Sequence, residues 1–177
     1  MFDARVLGVD PGVARLGLAV VAGRDRSASL AWSATVRTPP ELDEARRLRL
    51  VAEAVRSAIA EHRPSAVAIE RVAWNKNRVS ALQVARATGV VMAAAAEASL
   101  EVEEYGPNEV KIAVTGSGNA DKAQVRGALA RIHGLRAVPA QPDAADAVAI
   151  ALTHLMGARM RSATRPVVTS TVGPRSG

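Results

Sequence analysis

The sequence predicts an α/β domain with a mixed five-stranded sheet flanked by helices. Three observations predict it. Three strand-like runs come first, before any helical periodicity. Helical and strand-like segments then alternate, as they do when helices cover a sheet. The chain has 177 residues, 49% of them apolar, which suits one compact domain with a proper core.

Each element follows from local pattern. Residues 5–9 are a short apolar run that ends at Asp10-Pro11-Gly12, strong turn punctuation. Residues 16–21 are a second apolar run, so the two read as a hairpin. Residues 27–37 alternate roughly and give a third strand, stopped by Thr38-Pro39-Pro40. Over residues 41–62 the period changes. Leu48, Val51, Val55 and Ile59 recur at helical spacing with Arg and Glu between them, and Arg63-Pro64 ends the helix. Residues 66–69 form a short buried strand that ends at Glu70. A polar loop, Trp74-Asn75-Lys76-Asn77-Arg78, follows, and Ser80 caps a very apolar helix to about Ala98. Residues 100–105 are a fifth strand. Pro107-Asn108 opens a short helix to Val114, and Gly116-Ser117-Gly118-Asn119 is a flexible link. Asp121 begins a helix to about Ile132. After a loop at residues 139–142, Asp143 opens a final helix to about Met156. Residues 158–177 are rich in Ser, Thr, Pro, Gly and Arg without periodicity. They read as a basic, disordered tail to a single domain spanning residues 1–157.

Composition narrows the function. There is no cysteine, so disulfides, cysteine zinc sites and cysteine nucleophiles are excluded, which fits a reducing cytoplasm. The first residues carry Asp3 where a signal peptide is basic. No apolar run approaches the ~18 residues of a membrane span. A soluble cytoplasmic protein with no membrane association is expected. The net charge is +6, and four of the arginines behind it, Arg159, Arg161, Arg165 and Arg175, face no acids after Gly157. Such a balance suits nucleic acid as well as it suits an ordinary soluble surface.

Four carboxylates stand out by position. Asp10 and Glu70 each end an apolar strand, where open α/β sheets bind ligands. If their strands are adjacent and parallel, their ends lie ~4.8 Å apart. Asp143 and Asp146 are three apart at a helix start, on one face. Singly, each has a plain alternative: Asp10 as a turn residue, and the helical pair as acids favoured by the helix dipole. Together they repel one another unless a cation sits among them. An all-oxygen ligand set suits Mg²⁺, with Mn²⁺ able to substitute. Two such ions can clamp the attacking water and leaving oxygen of a phosphodiester. The three histidines lack metal-ligand spacing, and His154 reads as an ordinary helix residue.

These blocks resemble the RuvC-type crossover junction endodeoxyribonucleases. Val6-Leu7-Gly8-Val9-Asp10-Pro11-Gly12 with Gly17 is similar to the family's opening, and Ala66-Val67-Ala68-Ile69-Glu70 to its second acidic strand. Tyr105-Gly106-Pro107-Asn108-Glu109-Val110-Lys111 and the linker from Gly116 to Val125 match in order and spacing. So does Asp143-Ala144-Ala145-Asp146-Ala147 with Ala151-Leu152-Thr153-His154. The resemblance implies an RNase H-like fold and a homodimer that makes paired symmetric nicks in a four-way (Holliday) DNA junction. It implies that Asp10, Glu70, Asp143 and Asp146 are catalytic and hold Mg²⁺, and that Lys111 and Lys122 contact DNA. It also implies a RuvA/RuvB-type branch-migration complex as partner.

One position departs from the family. Three residues after the second acid stands Ala73 rather than a stacking aromatic, and Trp74 follows it. Trp74 reads either as the replacement stacking residue or as a core anchor. Lys76 and Arg78 are expected on phosphates. The helix over residues 80–98 reads either as the dimer interface or as a central core helix, with Ala85, Ala87 and Gly89 allowing close approach. Three other functions fit some of these features. One is a sugar-kinase or actin-like ATPase, which needs two such domains and is disfavoured by length. Another is a related nuclease on other branched DNA or RNA–DNA hybrids. The third is a non-cutting DNA-binding module.

Overall fold

Two apolar runs and an alternating third, close together in the chain, have one simple solution, an antiparallel meander. In a computed structural model of the chain, β1 (Asp3–Asp10), β2 (Arg15–Arg24) and β3 (Ser27–Arg37) pair in that order. The structure describes residues 3–24, 27–72, 78–135 and 137–164, excepting the side chains of 78 and 161–164. After β3 the chain crosses over through α1 (Glu44–His62) and returns as β4 (Ala66–Glu70), which pairs parallel with β1. A second crossover, α2 (Arg78–Glu97), leads to β5 (Glu101–Tyr105), parallel to β4. The sheet order is β3-β2-β1-β4-β5, the mixed five-stranded sheet expected. Three helices follow: α3 (Pro107–Thr115), α4 (Lys122–Arg131) and α5 (Pro142–Thr164).

Strand alternation divides the core into two layers. Leu7 and Val9 of β1 and Leu16, Leu18 and Val20 of β2 face α1 and α2. Val6, Ala19 and Val21 face α5, whose Ala147, Ile150, Ala151 and Leu155 are fully or almost fully buried. Each fully buried Leu, Ile or Val contributes roughly 1.5–3 kcal/mol by leaving water. Between Trp32 on β3 and His62 at the end of α1, the rings lie 4.6 Å apart.

Local chemistry moves several boundaries from their expected places. Helix α1 starts at Glu44 because Asp43 caps it, its side chain accepting from Arg46 N–H at 2.8 Å. Arg63 adopts the left-handed conformation, and Pro64 blocks continuation. Helix α2 begins at Arg78, so Ser80 lies in the first turn rather than capping it. Helix α5 runs to Thr164, well past Met156. Gly157 costs a helix ~1 kcal/mol, and the packing of Leu155 and the bond from the Arg159 guanidinium to the Ser27 carbonyl outweigh it. The first seven residues of the expected tail are therefore helical, and residues 165–177 lie outside the described residues.

Helix α2 is very apolar, as expected. Val79–Glu97 is long and apolar enough, by length and composition, to cross a membrane. Ser80, Gln83, Arg86 and Thr88 interrupt any continuous apolar run, while the valines and Ala93 to Ala96 carry the mean. Ala87, Val91, Ala94 and Ala95 are buried in this fold. Ion pairs Arg56–Glu97 and Arg86–Glu44 tie α2 to α1.

Candidate active site

The two strand-end acids stand side by side. Val9 is the register partner of Ile69 in the parallel β1–β4 pair, so Asp10 and Glu70 are the next residues out of adjacent strands. The backbone of α5 lies directly against β1 and β2. A Cβ on Gly8 would lie 2.0 Å from the Ala147 carbonyl oxygen, and one on Gly17 would lie 2.0 Å from that of Asp143. Gly17 is the ladder partner of Asp10. The missing side chains therefore bring the start of α5, with its two acids, over the end of β1.

Asp10, Glu70 and Asp146 line one cleft of about 500 Å³, together with Lys111 of α3, Lys122 of α4 and Asp121, which caps α4. Asp143 does not line it, although its charge acts on Asp10. Lys122 Nζ donates to Asp146 Oδ2 at 2.7 Å. Tyr105, at the end of β5, is hydrogen-bonded through its hydroxyl to His154 Nδ1 at 3.1 Å, which ties that strand end to α5.

Electrostatics set the character of the cleft. Burial first, and then Glu70, Asp146 and Asp143, push the Asp10 carboxyl up from 3.8 to about 7. Glu70 is raised by burial and by Asp146. Lys122 opposes both shifts, and its own ammonium is held protonated chiefly by its hydrogen bond to Asp146. Carboxylates this close favour protonation or a cation. The donor set is all oxygen, which fits a hard divalent ion. Among the described residues no three ligand-type side chains are preassembled around an ion position. Asp146 is engaged by Lys122.

The structure therefore brings together Asp10, Glu70, Asp146, Lys111 and Lys122, and leaves Asp143 at the margin. Trp74, Lys76 and the side chain of Arg78 lie outside the described residues. Two features escaped the sequence reading. Asp121 was read only as a helix start, yet it lines the cleft while accepting from Gln124 N–H. Lys122 was read as a DNA contact, yet it bonds a candidate metal ligand. The Asp-x-x-Gln capping box is the one local signal that fixes where α4 starts and hence where Lys122 stands.

The family model Crossover junction endodeoxyribonuclease RuvC matches residues 6–154. A protein of that name from Nocardia farcinica (strain IFM 10152) is 49% identical over 151 residues, 85% of this chain and 80% of the relative. Another, from Parafrankia sp. (strain EAN1pec), is 48% identical over 165 residues, 90% of this chain and 93% of the relative. Among solved structures, T. thermophilus RuvC in complex with Holliday junction substrate is similar with a TM-score of 0.84 and 38% identity, over 90% of this chain and 97% of that one. The yeast mitochondrial Holliday junction resolvase Ydc2, 12% identical, shares the fold at a TM-score of 0.71 over 92% of this chain and 82% of its own. The fold is RNase H-like, as the resemblance implied.

Proposed function

The chain belongs to the RuvC family of crossover junction endodeoxyribonucleases, and on that footing we propose that it resolves four-way (Holliday) DNA junctions by paired symmetric nicks in homologous recombination and repair. The family consists of divalent-metal-dependent nucleases. Here the ion is Mg²⁺, with Mn²⁺ able to substitute. The observation that carries the reading is the convergence of Asp10, Glu70 and Asp146 on one cleft in a chain that matches the family.

Asp10, Glu70, Asp143 and Asp146 hold the ion. When bound, it supplies Lewis-acid activation of water and stabilises charge on the phosphoryl oxygens. The chain's own groups do the rest. Without a counter-charge the acids repel a phosphodiester, so binding and cutting are coupled through charge. Lys111 and Lys122 supply cationic charge at the rim and orient the phosphate. The nuclease unit is residues 1–157, with α5 continuing beyond it, and the protein works in the cytoplasm with a RuvA/RuvB-type complex. Incubation with a synthetic four-way junction, a duplex and an RNA–DNA hybrid, each with Mg²⁺ or EDTA, tests this. Symmetric nicks are expected in the junction alone, and only with Mg²⁺. Preferential cutting of the hybrid, or binding without cutting, sinks the reading.

Lys122 competes with the ion for Asp146. Lys122→Gln is therefore expected to lower the Mg²⁺ concentration for half-maximal cutting while weakening junction binding. A titration of rate against Mg²⁺ at saturating junction checks it. An unchanged or raised midpoint means that Lys122 does not restrain Asp146.

The dimer forms through α2. Its exposed positions include Val79, Leu82, Gly89, Ala93 and Ala96, separated by three, seven, four and three residues, so they recur along one side of the helix. A Cβ on Gly89 would meet nothing within 4 Å, so a second helix can approach closely. Ala93→Glu buries a charge in that interface and is expected to halve the mass measured by light scattering at micromolar concentration. A monomeric wild type, or a variant that stays dimeric, excludes α2 as the interface.

A further inference from the structure

The β2–β3 ladder places two arginines directly opposite each other, Arg15 and Arg37. Like charges in that relation destabilise an antiparallel pair. Both side chains are exposed, and among the described residues neither has a hydrogen bond or ion pair. Four other surface arginines are neutralised, Arg46 by Asp43, Arg49 by Glu53, Arg56 by Glu97 and Arg86 by Glu44. Arg24, Arg63 and Arg131 also lack an ion pair among the described residues, but none of them faces a second arginine across a ladder.

Register places the pair on the active-site face. Asp10 is opposite Gly17, and Gly17 is opposite Thr35. Arg15 lies two residues before Gly17 and Arg37 two after Thr35, so a period of two returns both to the face of Asp10. Their neighbours Leu16 and Val36 point into the core on the α1 side, which confirms the parity. Gly17 in turn touches the start of α5, where Asp143 stands. The pair is thus one step further along the same face, ~6.8 Å along the strand from the Asp10–Gly17–Thr35 row. Lys111 and Lys122 come from helices that follow β5, at the other side of the sheet. Asp10 and Glu70, on the neighbouring strands β1 and β4, stand between two cationic sites.

We propose that Arg15 and Arg37 bind a DNA backbone phosphate next to the one that is cut, on the side of the acids away from Lys111 and Lys122. This rests on the reading of the cleft as a junction nuclease site. An otherwise unneutralised guanidinium pair suits a phosphodiester, which accepts a fork of N–H groups. It also gives a reason for a like-charge pair on the ladder: the DNA supplies the missing anion.

The test is the salt dependence of junction binding in EDTA, where no cutting occurs. Arg15→Gln combined with Arg37→Gln should reduce the slope of log affinity against log salt by ~1–2, because one or two phosphate contacts are lost. Arg15→Lys with Arg37→Lys should keep the slope, since charge is retained. Arg46→Gln, which removes a surface arginine paired with Asp43, should leave it unchanged. The double Gln variant should melt no lower than wild type, because a like-charge pair has been removed. A wild-type slope in the double Gln variant overturns the proposal, as does an equal fall in Arg46→Gln, which means only bulk surface charge. If wild type cuts junctions normally while the slope does not move, the phosphate site alone is wrong. If wild type neither binds nor cuts junctions, the nuclease reading itself fails and this site with it.

Discussion

Asp10→Asn, and separately Asp146→Asn, should slow junction cutting by about a thousandfold or more while junction binding persists. Each removes one carboxylate from the set that holds the ion. A bound ion is worth several kcal/mol of charge stabilisation at the transition state, and each ~1.4 kcal/mol is tenfold in rate. Binding survives because each substitution also removes a negative charge that repels phosphate. Single-turnover cutting and gel-shift binding on the same junction separate the two effects. Near wild-type cutting by both variants means the site is misassigned. Asp10→Asn has a second expected effect, on the metal-free protein. The Asp10 carboxyl titrates at about 7 in the fold against 3.8 unfolded. Between those values the folded state holds the proton that the unfolded state has released, so stability falls as pH rises through that window. The full gap corresponds to ~4 kcal/mol at neutral pH as a ceiling. Asn should recover on the order of 2 kcal/mol of it at pH 7 and almost none at pH 4. Chemical denaturation in EDTA at the two pH values reads this directly, and equal effects at both contradict the buried, crowded state of Asp10.

Gly8→Val should leave little folded protein at 37 °C. The Cβ alone would stand 2.0 Å from the Ala147 carbonyl oxygen and 2.8 Å from the Ala151 nitrogen. Both are helix backbone, which cannot turn aside as a side chain can. Helix α5 must therefore move as a body off β1 and β2, opening the layer that contains Ala19, Val21, Ile150 and Leu155. Overpacking costs ~1–3 kcal/mol where side chains can adjust, and more where they cannot. A loss of about 5 kcal/mol is most of the stability of a marginal domain, whose total is roughly 5–15 kcal/mol. Gly127→Ala is the control. Its Cβ would meet only the far end of the Arg131 side chain, so helix propensity should make the change neutral or stabilising by up to ~1 kcal/mol. Circular dichroism melts of both variants decide, and a Gly8→Val melt within a few degrees of wild type refutes the backbone-contact account.

Much of the site was legible in the chain because strand ends are local signals. Asp10 after Val9 and Glu70 after Ile69 needed only an apolar run and its end. That the two strands are neighbours was not legible, since β1 and β4 are separated by two strands and a helix. Nor does periodicity reveal that Gly8 and Gly17 are contact points. A glycine in a strand pattern signals a bulge as readily as a close helix. The bond from Lys122 to Asp146 spans 24 residues and depends on where α4 docks. Boundaries slipped where a side chain acting at a distance decided them, as with Arg159 reaching Ser27 and extending α5 beyond Gly157. The apolar character of α2 was legible as well; a continuous apolar run and a mean over a window are different measures, and α2 passes only the second.

The ring contact between Trp32 and His62 has a practical use in spectroscopy. The chain has two tryptophans, and this one is held against α1 on the face of the sheet opposite the acids. Its emission is a fixed background from the scaffold, unrelated to events at the cleft. Phe at position 32 keeps a flat ring beside the imidazole and removes that background. All indole fluorescence then comes from Trp74, four residues after Glu70. A change in that signal on mixing with junction DNA gives a time course at Trp74, recorded without a label and independently of strand cutting.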